Sequence, residues 1–179
     1  AITTTSALAN ELKNYVADVY INRNVASEKM LKYSERAKAN VQKEKDKIIL
    51  GYFSGSITHN SDFEMILPAI KKVMQENSNV YLKVVGELNM PKELDDLKDR
   101  IISSPFMEWK KLPELIASVD INLAPLEDTL FNAAKSENKW VEASMVGVPT
   151  IASNIGAFAE EIEHGVDGIL CANEKEWEE

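Results

Sequence analysis

At 179 residues, 45% of them hydrophobic, the chain is long enough to bury one sizeable core and too apolar for a disordered state. A formal net charge of −9 argues against nucleic acid as the main partner, because a phosphate backbone is repelled unless basic residues gather in one stripe; any bound phosphate must be met locally. The single cysteine, Cys171, cannot close an internal disulfide, no apolar run approaches the ~20 residues of a membrane span, and no charged-then-apolar leader is visible, so a cytoplasmic location is expected.

The first residues, Thr3-Thr4-Thr5-Ser6, are N-cap candidates ahead of Leu8, Leu12, Tyr15 and Val16 at helical spacing, which predicts a short amphipathic helix. The patterning starts at the first residue, as in a piece of a longer chain. Val19-Tyr20-Ile21 reads as a brief strand, Asn22-Arg23-Asn24 as a turn, and Ser27 as the cap of a helix reaching about Ala39. The charged run at residues 42–47 then forms the best domain boundary, with residues 1–47 on one side and 48–179 on the other.

From Ile48 the pattern becomes strands alternating with helices. Apolar runs at 48–53, 80–85, 121–125, 148–152 and 168–171 read as strands. Helices are expected at 62–75 despite Pro68, from Pro91 to Arg100, from Pro113 to about Val119, and at 137–146 and 157–163. A short segment carrying Phe106 and Trp109 has no assigned element, and both aromatics read as core. Continuous rather than alternating apolar strands imply a parallel sheet covered on both faces, hence an α/β, doubly wound, Rossmann-like fold without internal repeats.

In such a sheet a ligand sits outside the carboxyl ends of the strands, so the loops leaving each strand are the places to look. Ser54-Gly55-Ser56-Ile57-Thr58-His59-Asn60 offers backbone amides and small hydroxyls to an anion, or is a plain turn; it is neither a dinucleotide fingerprint nor a P-loop. His59 lies in this ligand-facing loop. His164 beside Gly165 reads instead as a structural residue at a helix C-terminus. The segment from Phe131-Asn132 to Gly147-Val148-Pro149 is more informative. Ser136 is placed to cap a helix whose amides favour a phosphate, Lys135 adds positive charge at the same end, and Glu142 sits about one and a half turns in. Glu142 is suited to accept two hydrogen bonds from a ribose diol, or else pairs with Lys139 or Asn138 on a wet face.

These residues carry a resemblance. Lys135-Ser136-x-x-Lys139-x-x-Glu142, then Gly147-Val148-Pro149 and His164-Gly165-Val166-Asp167-Gly168, resembles the C-terminal half of the group 1 family of retaining glycosyltransferases with GT-B architecture, from about Ile48 to the last residue. The earlier segment is similar to the last helix and crossover strand of the acceptor-binding half, with Asn24 matching the asparagine before the linker. The resemblance implies two Rossmann-like domains facing across a cleft, this one holding the nucleotide of a nucleoside-diphosphate sugar. It further implies a hexosyl or other glycosyl transfer with retention to a surface polysaccharide, glycan or lipid-linked acceptor. That acceptor would be held by the other domain, so this part is expected to be inactive alone, and peripheral membrane association of the longer protein is compatible.

Carried over residue by residue, Glu142 matches the glutamate that holds the ribose hydroxyls, and Pro105-Phe106-Met107 matches the segment that grips the nucleobase. The paired glutamate eight positions before Glu142 is Ala134, and Glu137 is the nearest carboxylate. The usual Gly-Arg pair is Gly55-Ser56, with no base until Lys71, so Lys135 is the candidate replacement for the diphosphate clamp. The donor-site expectation is therefore Gly55, Ser56, His59, Met107, Asn132, Lys135, Ser136, Glu137 and Glu142. No nucleophile is assignable and no cofactor is expected. The absence of an Asp-x-Asp motif leads to the expectation of no metal. The competing expectation is a catalytically degenerate module that binds a nucleotide or other ligand for regulation, a reading that Ala134 favours.

Overall fold

The computed structural model describes residues 1–55 and 60–179. Ser56 and His59 therefore lie outside the described residues. The chain opens with β1 (Ile2–Thr3), α1 (Ser6–Leu12) and β2 (Tyr20–Ile21), and β1 and β2 pair in parallel. Of the N-terminal hydroxyls it is Thr5 that caps α1, accepting from the Leu8 amide, and the helix ends at Leu12, before Tyr15 and Val16. Those two side chains are exposed. Ser27 caps α2 (Glu28–Asn40) by accepting from the Met30 amide, as its position predicts.

The main sheet contains β3 (Ile48–Ser54), β4 (Val80–Gly86), β5 (Ile101–Ser104), β6 (Ile121–Ala124), β7 (Thr150–Ser153) and β8 (Ile169–Cys171). All neighbours are parallel, in the order β5-β4-β3-β6-β7-β8. This is the doubly wound order, in which the chain runs outward from β3 in one direction and returns to build the other half from β6. Side chains alternate across β3. Leu50 and Tyr52 enter a core with Phe63 and Ile66 of α3 (Asn60–Glu76), while Ile49 and Phe53 enter a second core on the opposite face. That second core is built from α2, α4 (Leu112–Ala117) and α6 (Asn138–Val146), through Ala37, Ile116 and Ala143. A third, smaller cluster seats α7 (Gly156–Glu161) on β6 and β7 through Phe158 and Ala152.

Several elements depart from the sequence expectation. Pro68 lies inside α3 without ending it, because it sits on the exposed face, where the carbonyl it orphans meets water. Residues Lys92–Arg100 wind as a 3-10 helix rather than an α-helix. Its only apolar residues, Leu94 and Leu97, are three apart and both buried; at three residues per turn they stack on one face. Strand β5, short α5 (Leu130–Ala133) and α8 (Glu174–Glu178) are further elements. His164 is no helix terminus, since α7 stops at Glu161. Its Nδ1 instead accepts from the Leu170 amide at 3.1 Å, tying the turn to β8. Trp177 of α8 packs on the core beneath α3, and Lys72 pairs with Glu178 at 2.7 Å.

Candidate donor-binding site

Pairing of β3 with β6 stops at Tyr52–Leu123, whereas β3 and β4 stay paired to Ser54–Gly86. The sheet thus opens where its strand order reverses. Beside this opening lies a cavity of about 310 Å³, at the lower end of the range for small-molecule sites. Phe53, Ser54 and Gly55 from the end of β3 and Val85 from β4 form one wall, and Phe106, Met107 and Trp109 from the segment after β5 form another. The α6 helix adds Lys139 and Glu142. Next to these two walls, Gly86 ends β4 with φ +99°, and a Cβ there would fall 1.8 Å from the Ser54 carbonyl oxygen, so only glycine lets the end of β4 pair this closely with Ser54 of β3.

Lys139 and Glu142 are three apart in α6 and share a face, about 4.5 Å apart along the axis. Burial pushes the Glu142 carboxyl above its ordinary range, and the attraction of Lys139 partly offsets this. The stem of Lys139 is partly exposed, but its Nζ is buried and has no hydrogen-bond partner among the described residues. Nζ lies 4.9 Å from the centroid of the Tyr52 ring. Desolvation lowers its pKa to about 8, against the opposing attraction of Asp62.

Asp62, in the first turn of α3, is itself fully engaged. It accepts from the Glu127 amide at 2.9 Å and from Asn132 Nδ2 at 2.8 Å, and it pairs with Lys135 at 3.6 Å. Asn132 also donates to the Glu127 carbonyl. This polar knot fixes the loop after β6 onto α3.

Residues 48–179 match the family described as glycosyl transferases group 1. The chain belongs to this family. It is 28% identical over 130 residues to an uncharacterized glycosyltransferase of Methanocaldococcus jannaschii, covering 69% of this chain and 31% of that protein. It is 26% identical over 159 residues to an uncharacterized protein in the cps region of Klebsiella pneumoniae, covering 88% and 42%. The chain thus spans less than half the length of these relatives. Among solved structures, Anabaena HepE in complex with UDP and glucose superposes with a TM-score of 0.66 at 19% identity, over 99% of this chain and 50% of that one. WaaG, a glycosyltransferase involved in lipopolysaccharide biosynthesis, superposes with a TM-score of 0.70 at 14% identity, over 99% and 51%. These two likenesses carry the fold: a Rossmann-like domain of the GT-B type.

Within this group 1 domain, Gly55, Met107 and Glu142 of the expected donor-site residues line the cavity. Phe106 and Trp109 are not core: they are 67% and 45% exposed and face the cavity, and Trp109 meets Tyr33 edge-on at 5.5 Å. Asn132 is buried in the knot with Asp62. Lys135 points to Asp62 and lies over the Phe131 ring. Ser136 is not the helix cap. Its hydroxyl donates to Thr4 Oγ1 at 3.1 Å and accepts from Asn24 Nδ2 at 3.0 Å, and α6 starts one residue later with Glu137 in the cap position.

The Glu137 side chain makes no capping hydrogen bond; it is buried and faces Arg23 at 3.8 Å. Arg23 in turn binds Glu160 and Glu161 of α7 at 2.6 and 2.9 Å. From the sequence, Lys139 is named only within the family motif and as a surface partner of Glu142, not as a site residue. Its helical spacing from Glu142 was the available signal, while the burial of its amine depends on Tyr52 and α3, far away in sequence.

Proposed function

We propose that this domain binds a nucleoside-diphosphate sugar and, joined to an acceptor-binding domain, transfers the sugar with retention to a polysaccharide, glycan or lipid-linked acceptor. The observation that carries the reading is Glu142 in the wall of an aromatic-rimmed cavity at the switch point. A carboxylate there meets a ribose diol through two charge-assisted hydrogen bonds while Phe106, Met107 and Trp109 flank the base. With the ribose at Glu142, the diphosphate runs toward the N-terminus of α6, where the helix dipole stabilises negative charge as the bond to the sugar breaks. The reading includes transfer without a divalent ion, since that helix end supplies partial positive charge. HepE and the Staphylococcus aureus TarM mutant were solved with UDP, which makes uridine nucleotides the first donors to try. Calorimetry against UDP, with adenosine, guanosine, cytidine and thymidine diphosphates as comparators, tests it. Heat saturating at millimolar ligand or below is expected, and no heat with any of the five overturns the reading.

One observation favours a second reading, binding without turnover. Ala134 offers no carboxylate to the sugar, and Glu137 is engaged with Arg23. Hydrolysis or transfer of UDP-sugars by the chain reunited with its acceptor half would exclude it.

A further inference from the structure

Charge on a bound diphosphate must be met by a residue whose own charge is not already spent. Lys135 fails this condition, because it is paired with Asp62, which also holds Asn132 and the Glu127 amide. Lys139 meets it. The residue lines the cavity, and its Nζ is buried above the Tyr52 ring, with three N–H donors and no hydrogen-bond acceptor among the described residues. A buried amine without an acceptor is costly to fold, and such groups persist where a ligand supplies the missing partner. Lys139 also lies one turn nearer the helix N-terminus than Glu142, about 4.5 Å along the axis, on the side to which the phosphates of a ribose held at Glu142 extend.

We infer that Lys139, rather than Lys135, is the residue that binds the diphosphate of the donor and neutralises it as the leaving group departs. The inference rests on the cavity being a donor site. Facing the Lys139 amine among the described residues are Tyr52 of β3, Asp62 of α3, Lys135 before α6 and Glu142 of α6 itself. Asp62 and Glu142 favour the ammonium, Lys135 and burial oppose it, and the balance leaves the amine titrating near pH 8 in the empty site. A diphosphate, fully ionised above its second pKa of about 6, adds negative charge beside the amine and raises that value. Above about pH 8, binding therefore takes up one proton from solvent onto Lys139 Nζ. Affinity for a diphosphate should fall as pH rises from about 8 toward the raised value, by up to tenfold per pH unit.

The experiment is calorimetry of UDP, UMP and uridine binding to the wild-type chain and to the Lys139→Met, Lys139→Arg and Lys135→Ala variants, at pH 7 and pH 9 in two buffers of different ionisation enthalpy. Lys139→Met should weaken UDP on the order of 10- to 100-fold, the effect of one charge-assisted hydrogen bond, and leave uridine unchanged. Lys139→Arg should restore most of the UDP affinity and abolish its fall between pH 7 and pH 9, because arginine does not titrate there. Lys135→Ala should change UDP and UMP affinity equally and modestly. Unchanged UDP affinity in Lys139→Met, equal loss of UDP and uridine, or no buffer-dependent proton uptake by wild type at pH 9 overturns the inference while the cavity remains a donor site. If wild type binds no UDP, the inference falls, and the remaining diphosphates decide whether the donor-site reading falls with it.

Discussion

Replacing Lys139 by methionine should stabilise the free protein at pH 7. In the folded chain the amine titrates near 8 instead of the ordinary 10.5, so holding it charged at pH 7 costs about 1.36 kcal/mol for each unit of that difference, on the order of 3 kcal/mol. The sign follows from proton counts. Between about pH 8 and 10.5 the unfolded chain binds more protons at this residue than the folded one, so wild-type stability rises with pH through that window and the penalty is present in full below it. Methionine has a similar length, no charge, and a sulfur that packs well on the Tyr52 ring, so the variant carries no such penalty. Urea unfolding followed by circular dichroism at pH 7, 8.5 and 9.5 should show a gap of roughly 2 to 3 kcal/mol at pH 7 that narrows as pH rises. Thermal melting at pH 7 should shift upward by roughly 4 to 10 °C for a domain of this size. A variant no more stable than wild type at pH 7, or a gap independent of pH, would refute the view of Lys139 as a buried charge awaiting its partner.

Glu142→Gln should weaken UDP binding by about 1.5 to 3 kcal/mol in calorimetry, with a melting temperature no lower than that of wild type, because the carboxylate is already disfavoured by burial. Gly86→Ala should lower stability by more than about 2 kcal/mol in urea titrations and abolish UDP binding, since its Cβ would strike the carbonyl of Ser54, a residue of the cavity wall. Arg23→Met should cost about 1 to 3 kcal/mol of stability, because Glu137 would be left buried without its countercharge; adding Glu137→Gln should recover part of the loss.

The sheet was legible because its strands are continuous apolar runs, and β3, β4, β6 and β7 lie within two residues of where those runs place them. Strand β5 escaped because Ile101-Ile102-Ser103-Ser104 is a short edge strand with half its residues polar, and its pairing to β4 rather than its composition makes it a strand. The 3-10 stretch escaped because Pro91 and the charged residues after it suit any helix start. In the site, Glu142 was readable as a carboxylate in an apolar stretch of helix. The roles of Lys135, Ser136 and Glu137 were not, since each is settled by a partner far off in sequence: Asp62, Thr4 with Asn24, and Arg23. Phe106 and Trp109 looked like core because aromatic identity alone does not distinguish a wall from an interior.

The contacts of the first 24 residues bear on where this protein can be divided. Thr4, Thr5, Arg23 and Asn24 grip residues 134–138 by hydrogen bonds and an ion pair, and Arg23 and Ser6 reach α7 through Glu160. All of these gripping residues precede Ile48, the first residue of the stretch shared with the family. A protein trimmed to that stretch would keep every strand of the main sheet but lose the clasp on the turn that leads into α6, freeing Ser136 and leaving Glu137 without Arg23 opposite. Similarity between sequences thus marks an inherited unit here, while the mechanical unit that holds the turn into α6 in shape also takes in residues 4–24.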